Sequence, residues 1–176
     1  LEDDMTVLEL FPGGGWYTRV LAPVLAENGK LYVALGTGTV SERVLTEPGF
    51  EKVQVIDTTA NVRRPEGSRN YVLDDFEFGK SGVDMVLTFR NLHSFDKESR
   101  DRINRAAFDV LKPGGLYRVI DHTKRHMEPE TPENRRRLDP VTVIKEMLDI
   151  GFEFEGYSDL HYRPDDELRY EVGRRT

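Results

Sequence analysis

Residues 5–20 read Met-Thr-Val-Leu-Glu-Leu-Phe-Pro-Gly-Gly-Gly-Trp-Tyr-Thr-Arg-Val, and the rest of the predicted fold is built around them. The nearly continuous apolar run from Val7 to Phe11 is typical of a parallel strand buried on both faces. Pro12 and three glycines stop that strand and form a turn with open backbone amides. The apolar spacing from Trp16 to Ala26 predicts an amphipathic helix, whose positive N-terminal end would face a ligand.

The spacing of the glycines narrows the class of ligand. A dinucleotide site uses Gly-x-Gly-x-x-Gly, but Gly13 and Gly15 are followed by Thr18 where the third glycine would stand. Glu9, the one charge in the strand, would repel a pyrophosphate and favours a ligand with a positive end. The alternative for Glu9 is a strand-end acid that caps loop amides.

The acid, the glycine turn and the helix together resemble the first motif of class I S-adenosylmethionine-dependent methyltransferases. Residues 9–18, Glu-Leu-Phe-Pro-Gly-Gly-Gly-Trp-Tyr-Thr, further resemble a bacterial group described only as predicted methyltransferases, with Phe11 at the first glycine of the general pattern. The resemblance implies a three-layer Rossmann-like α/β fold, with helices on both faces of a mostly parallel sheet, and S-adenosylmethionine as cofactor. Its first motif implies these cofactor-binding residues: Glu9, Phe11, Pro12, Gly13, Gly14, Gly15, Tyr17 and Thr18.

The bulk composition is that of one globular domain. The 176 residues are 38% apolar and 32% charged, and no apolar run is long enough to cross a membrane. The net charge of −7 argues against non-specific binding to nucleic acid, and the absence of cysteine excludes disulfides and thiolate chemistry. We therefore expect a soluble, cytoplasmic protein. Because the sequence begins at Leu1 and not at a methionine, a signal peptide upstream of it is an alternative.

The second predicted strand, Lys30–Leu35, lacks the acid that usually holds the ribose in methyltransferases. Residues 35–39 read Leu-Gly-Thr-Gly-Thr instead. The hydroxyls of Thr37, Thr39 or Ser41 can replace it, or the segment is a flexible turn that caps a helix over Ser41–Thr46.

The third predicted strand, Phe50–Ile56, is followed by a polar excursion over residues 58–69. In the resembled enzymes an acid after this strand accepts a hydrogen bond from the adenine amino group. Asp57 or the pair Asp74 and Asp75 can hold that place. We favour Asp75 with Phe76 packed on the ring, the alternative being that these are solvated loop acids.

The fourth predicted strand, Val83–Phe89, runs into Arg-Asn-Leu-His-Ser-Phe at residues 90–95, a second segment that resembles the bacterial group. Its loop and the Glu9 loop flank the expected switch point of the sheet, where ligands bind. We predict His93 as a catalytic base and Asn91 as a positioning partner, with Arg90 and Asn91 also near the cofactor. A packed structural histidine is the alternative.

The next segments predict a helix over Asp96–Leu111, capped by Asp96, and a Lys-Pro-Gly-Gly turn before the strand Leu116–Ile120. His122 follows that strand and is a further catalytic candidate at the same edge. A metal site of His93, His122 and Asp121 is the less favoured alternative, because no helical His/Glu spacing supports it. Asp121 is not expected to orient His122, since neighbours along a strand point to opposite faces.

The last third of the chain departs from the resembled family. Residues 124–137 predict either a substrate-side flap or a solvated loop, followed by a helix through Ile150 that Asp139 caps. Phe152–Leu160 predicts a sixth strand. The usual final antiparallel strand is missing or atypical, so either Glu167–Val172 replaces it or the sequence is a fragment.

These observations predict an enzyme that moves a methyl group from S-adenosylmethionine to an unidentified small-molecule acceptor. The rival functions are an NAD(P)-dependent oxidoreductase and a non-catalytic domain that keeps the fold. RNA methylation through Arg135–Arg137 is disfavoured by the acidic balance. No membrane partner is expected, and a homodimer stays open.

Overall fold

A computed structural model describes residues 1–170. Its strands are β1 (Thr6–Leu10), β2 (Lys30–Ala34), β3 (Gln54–Ile56), β4 (Val62–Arg63), β5 (Val72–Leu73), β6 (Val83–Phe89) and β7 (Leu111–Ile120). Its α-helices are α1 (Trp16–Leu25), α2 (Gly38–Arg43), α3 (Lys97–Val110) and α4 (Pro140–Ile150), and Leu92–Ser94 form a 3₁₀ turn.

Five strands form one parallel sheet in the order β3-β2-β1-β6-β7. The chain order reverses between β1 and β6, so the loops after these two strands flank the point where ligands bind in open α/β sheets. Val7 pairs with Leu31 of β2 and with Met85 of β6, and all three side chains are buried. The predicted three-layer Rossmann-like fold is confirmed.

Successive residues of β1 point to opposite faces of the sheet, and each face has its own apolar core. Val7 packs with Leu21 and Leu25 of α1. Leu8, its neighbour, packs in the other core with Ile103 of α3. Helices therefore cover both faces, which explains why the central strands are almost entirely apolar.

The helix predicted over Ser41–Thr46 is present as α2, which spans Gly38–Arg43 and so begins three residues earlier than predicted. Thr37 precedes its first residue. The Thr37 side chain makes no capping hydrogen bond. The other two caps are confirmed. Asp96 accepts from Ser99 N at 2.9 Å, and Asp139 accepts from the first amides of α4.

Residues 112–115, predicted as the turn before the fifth strand, bulge out within β7 instead. Val83 pairs with Leu111 and Met85 with Leu116, so pairing resumes only after the two glycines. The excursion after β3 also contains structure that the sequence did not predict. There β4 and β5 form a small antiparallel sheet, with Val62 opposite Leu73.

The strand predicted over Phe152–Leu160 is wrong, since residues 152–170 contain neither helix nor strand. Its apolar alternation finds no partner, and Tyr157 and Leu160 are largely exposed. Residues 167–170 likewise form no strand, and residues 171–172 of the predicted substitute lie outside the described part of the chain. Within residues 1–170, no helix is long and apolar enough to cross a membrane.

Candidate functional site

Three neighbouring strands end in the same unusual backbone conformation. Phe11 after β1, Leu35 after β2 and Arg90 after β6 have φ angles of 53°, 63° and 62°. Non-glycine residues pay about 1 kcal/mol or more in this left-handed region, and such strain clusters at functional sites. Hydrogen bonds hold two of them in place, from Phe11 N to Ala34 O at 2.9 Å and from Arg90 N to Ile120 O at 2.7 Å. Phe11 thus adopts a left-handed conformation that ordinarily favours glycine.

A cavity of about 510 Å³ borders these strand ends. It is lined by residues that follow β1, β2, β3 and β6, together with Val62 of β4 and Tyr71 just before β5: Phe11, Gly36, Ala60, Asn61, Val62, Tyr71, Asn91, Ser94 and Phe95. The rings of Phe11 and Phe95 lie 5.1 Å apart between centroids. Within the described chain, no acidic side chain lines this apolar cavity. Its walls suit a planar ring with a few polar edges.

Glu9 lies behind the glycine turn rather than in the apolar cavity. Its side chain is buried, and its Oε2 accepts a hydrogen bond of 2.6 Å from the Thr18 hydroxyl. Burial raises the pKa of Glu9 to about 7, and the Thr18 hydrogen bond partly opposes that rise. Glu9 therefore ties β1 to α1, and Thr18, which stands in place of a third glycine, is its partner.

The glycines of the turn have different roles. A Cβ at Gly15, where φ is +77°, would lie 2.6 Å from Val44 Cγ2 and 2.9 Å from Val40 Cγ2. Gly15 is therefore needed for packing against α2. At Gly13 and Gly14 a Cβ would meet nothing within 4 Å, so the backbone there borders open space. Pro12 closes the turn, its carbonyl accepting from Gly15 N at 2.8 Å.

Tyr17, also predicted at the cofactor, packs on the face of the sheet covered by α1. Its ring stacks on Phe89 with centroids 3.7 Å apart and planes 8° apart. It is absent from the lining of the apolar cavity. Tyr17 thus anchors the start of α1 to the end of β6.

The structure does not bring Asp75 and Phe76 to the apolar cavity. The Asp75 side chain is 91% exposed and forms an ion pair of 2.7 Å with Arg102 of α3. Phe76 packs edge-on against Phe78. Asp57 is exposed and also absent from the lining.

Asn61, which the sequence did not single out, lines the apolar cavity beside β4. Its Nδ2 donates to Asp74 Oδ2 at 3.3 Å, and this bond leaves Oδ1 available as an acceptor. No sequence signal marks Asn61, because its place depends on the pairing of β4 with β5, eleven positions apart in the pair Val62 and Leu73.

Asn91 joins the ends of two strands. Its Nδ2 lies 3.3 Å from Thr88 Oγ1, 3.4 Å from Leu10 O and 3.5 Å from Phe11 O. These long contacts hold the loop after β6 against the end of β1. Asn91 also lines the apolar cavity.

His93 and Asp121 form a nearly buried pair, with side chains 8% and 7% exposed. His93 Nδ1 lies 2.5 Å from Asp121 Oδ1, and Asp121 also accepts from the backbone amides of His93 and His122. With Nδ1–H donating to the carboxylate, Nε2 carries the lone pair. Asp121 therefore orients the ring of His93 and not that of His122.

His122 has a different environment from His93, although the two ring centroids are only 5.8 Å apart. Arg90 Nε donates to His122 Nε2 at 3.0 Å. Burial and then the charge of Arg90 lower the pKa of His122. The ring lone pair of His122 is thus engaged by Arg90. Among residues 1–170, no group of three or more His, Asp or Glu side chains can hold a metal ion.

A second cavity, of about 290 Å³, contains His93. We call it the polar cavity. Phe95 lines both cavities, and most of the remaining lining comes from residues 124–143. The predicted flap thus borders this cavity. It is held by Asp139, whose carboxylate accepts from His126 Nδ1 at 2.8 Å and from Met127 N at 3.2 Å.

This architecture is the fold of S-adenosylmethionine-dependent methyltransferases. A SAM-dependent methyltransferase from Aquifex aeolicus matches 87% of this chain and 74% of its own, with a TM-score of 0.62 and 19% identity. An arsenic(III) S-adenosylmethionine methyltransferase from Chlamydomonas reinhardtii matches with a TM-score of 0.58 and 15% identity, over 85% of this chain and 50% of its own.

The [4+2]-cyclase SpnF is similar to the same degree, with a TM-score of 0.62 and 18% identity over 89% of this chain and 53% of its own. The chain therefore spans about half the length of two of these three proteins. No protein family and no curated protein matches the sequence. At these identities the likeness establishes the fold alone, and a cyclase among the neighbours shows that the fold serves more than one chemistry.

Proposed function

We propose that the chain binds S-adenosylmethionine in the apolar cavity and transfers its methyl group to a small molecule. The observation that carries this proposal is the contact of the two cavities at Phe95. The apolar cavity lies at the switch point of the sheet, and the polar cavity beyond Phe95 contains the buried pair of His93 and Asp121. A donor site and a base are thus adjacent.

The residues of the apolar cavity fit an adenosyl group. Phe11 and Phe95 offer aromatic walls for adenine, and Asn61 Oδ1 can accept from its amino group. Ser94 and Asn91 supply polar groups for the ribose. They take the place of an acidic residue after β2, a region where this chain has Gly36. The open backbone at Gly13 and Gly14 would receive the methionine end.

The proposal removes Glu9 and Asp75 from the cofactor contacts that were predicted for them from the sequence. Glu9 supports the glycine turn through its hydrogen bond with Thr18 and is assigned no direct contact with the ligand. Asp75 serves α3 through Arg102, and Asn61 takes the adenine role.

When bound, S-adenosylmethionine supplies an electrophilic methyl group on a sulfonium. The protein must align the acceptor with that methyl group and remove the proton of a reacting hydroxyl. His93 Nε2 takes that proton as the acceptor oxygen bonds to the methyl carbon and the carbon–sulfur bond breaks, its electron pair staying on sulfur. Asp121 stabilises the imidazolium that forms.

Calorimetric titration tests the cofactor assignment, with S-adenosylmethionine, S-adenosylhomocysteine and NADH as ligands. We expect dissociation constants of about 1 to 100 μM for the sulfur ligands and no heat with NADH. Tight binding of NADH alone would support the oxidoreductase alternative.

One observation favours a second function, a domain that keeps the fold without cofactor. The described lining of the apolar cavity contains no carboxylate for the ribose or the adenine. A folded sample that binds neither sulfur ligand would support this alternative.

A further inference from the structure

We propose that the polar cavity is the acceptor site and selects a hydroxyl compound that carries an amine. In this assignment Glu128 binds the ammonium group while the hydroxyl faces His93. The proposal rests on the proposed methyl transfer only for the fate of the hydroxyl. Binding of the amine can be tested without any cofactor.

Two arginines that line the polar cavity, Arg100 and Arg137, are already committed to partners inside the protein. Arg100 donates to both oxygens of Glu146, at 2.7 and 3.1 Å, and to Phe95 O at 2.9 Å. Arg137 donates to both oxygens of Asp166 at 2.9 Å. Their guanidinium groups therefore define the wall and are not available to capture an anion.

Arg137 is further saturated by backbone carbonyls. Its Nε donates to Tyr170 O at 2.6 Å, and its Nη1 to Thr123 O at 2.9 Å. Arg135, which also lines the polar cavity, has an interaction partner within the chain as well. The charge of Arg137 is thus balanced inside the protein.

Among the described acids that line the polar cavity, Glu128 has a buried side-chain oxygen without a hydrogen-bond donor. Its Oε2 is buried and has no hydrogen-bond partner among residues 1–170. Its Oε1 lies 3.5 Å from Arg169 Nε, an ion pair longer than a hydrogen bond to a charged group. A buried carboxylate oxygen without a donor is costly, so the Glu128 carboxylate, which lines the cavity, would gain from a ligand that donates to it.

The other acids of the polar cavity differ from Glu128. Asp139 is filled by His126, Met127 N and the first amides of α4. Glu130 is exposed, so water satisfies its carboxylate. Of the three described acids that line the cavity, Glu128 alone has a buried oxygen that accepts no hydrogen bond.

Lys124 is the cation that opposes this assignment, because it also lines the polar cavity and no ion pair of its side chain occurs within the described chain. Unlike Glu128 Oε2, a partly exposed ammonium meets its hydrogen-bonding needs with water. Lys124 would nevertheless favour an anionic acceptor, and the experiment must distinguish an acceptor with an ammonium group from an anionic one.

Three phenols of one size provide the probes: tyramine, neutral para-ethylphenol and the anion para-hydroxyphenylpropionate. Their binding to the wild-type chain is measured by NMR titration, without cofactor and then with S-adenosylhomocysteine. We expect tyramine to bind at least about tenfold more tightly than the other two, the effect of one charge-assisted hydrogen bond. Equal binding of all three, or no binding of any, would overturn the proposal.

Variants then locate the effect. E128Q should lower the affinity for tyramine about tenfold and leave para-ethylphenol within about twofold. E133Q makes the same chemical change at an exposed carboxylate that does not line the cavity and should leave both affinities unchanged. Tightest binding of the anion, abolished by K124M, would assign the cavity to anionic acceptors and refute the role of Glu128.

The design separates this proposal from the proposed function. Tyramine binding that depends on Glu128, together with no binding of S-adenosylhomocysteine, would support the amine site and refute methyl transfer. Cofactor binding without preference for tyramine would do the reverse.

Discussion

His93 and Asp121 meet 2.5 Å apart between Nδ1 and Oδ1, although they are 28 positions apart in the chain. They follow β6 and β7, which are neighbours in the parallel sheet. Parallel pairing brings the carboxyl ends of both strands to one edge, and the near-burial of both side chains fixes the geometry. A histidine oriented in this way has a defined tautomer.

We predict that neutral His93 carries its proton on Nδ1 because Asp121 accepts it. Long-range ¹H–¹⁵N NMR spectra distinguish the two tautomers. The exposed His161 serves as internal reference and should favour the Nε2–H form of free imidazole. In D121N the preference of His93 for Nδ1–H should weaken. An Nε2–H tautomer of His93 in the wild type would contradict the pairing.

H93Q should abolish the base and keep the shape of the loop. Once an acceptor is known, we expect turnover to fall by about 10²- to 10⁴-fold, the usual contribution of a general base. The affinity for S-adenosylhomocysteine should change less than about twofold, because His93 does not line the apolar cavity. Unchanged turnover would exclude His93 as the base.

Glu9 should make stability depend on pH. The pKa of Glu9 is about 7 in the folded state, against an ordinary value of about 4.5 for a solvated glutamate, so the folded chain retains a proton that the unfolded chain has lost. Stability therefore falls as pH rises from about 4.5 to about 7 and then levels off, by at most about 3 kcal/mol.

Urea unfolding of E9Q and wild type at about pH 5 and about pH 8 measures this contribution. We expect the wild type to lose stability relative to E9Q at the higher pH. E153Q, at an exposed glutamate, is the control and should follow the wild type. Parallel pH profiles for E9Q and wild type would show that burial does not perturb Glu9.

The glycine turn offers a matched pair of variants. G15A places a methyl group 2.6 Å from Val44 Cγ2 at a φ of +77°, so it should destabilise the fold by about 3 kcal/mol. G14A adds the same methyl group where nothing lies within 4 Å and φ is not positive. Its stability should stay within about 0.5 kcal/mol of wild type. Equal unfolding midpoints for both variants would refute the packing role of Gly15.

N61A tests the proposed adenine contact. Asn61 Oδ1 can accept from the adenine amino group, whereas Asp74 holds the Nδ2 end away. The wild type should therefore prefer S-adenosylhomocysteine to S-inosylhomocysteine, which lacks that donor. N61A should bind S-adenosylhomocysteine about three- to tenfold more weakly and lose the preference. A preference retained in N61A would place adenine recognition elsewhere.

The parts of the fold that the sequence predicted correctly depend on local signals. The apolar run from Val7 and the spacing of α1 identify a buried strand and an amphipathic helix without any knowledge of the remainder. The convergence of His93, Asp121 and His122 followed from the same logic, because each lies after a parallel strand.

The parts that the sequence missed depend on contacts between distant segments. Asn61 reaches the apolar cavity only through the pairing of β4 with β5, and Asp75 was bound by Arg102 of a later helix. The alternation of Phe152 and its neighbours mimicked a strand, but a strand needs a partner and these residues have none in the described chain. The left-handed backbone of Phe11 carries no sequence signal at all.

The central claim is that the apolar cavity at the ends of β1, β2 and β6 binds S-adenosylmethionine. The most direct test is a crystal structure of the chain with S-adenosylhomocysteine. We predict the adenine packed against the wall that Phe11 and Phe95 form, its amino group on Asn61 and the sulfur directed toward the polar cavity. A ligand bound outside the apolar cavity, or crystals grown at saturating ligand that show none there, would contradict the account.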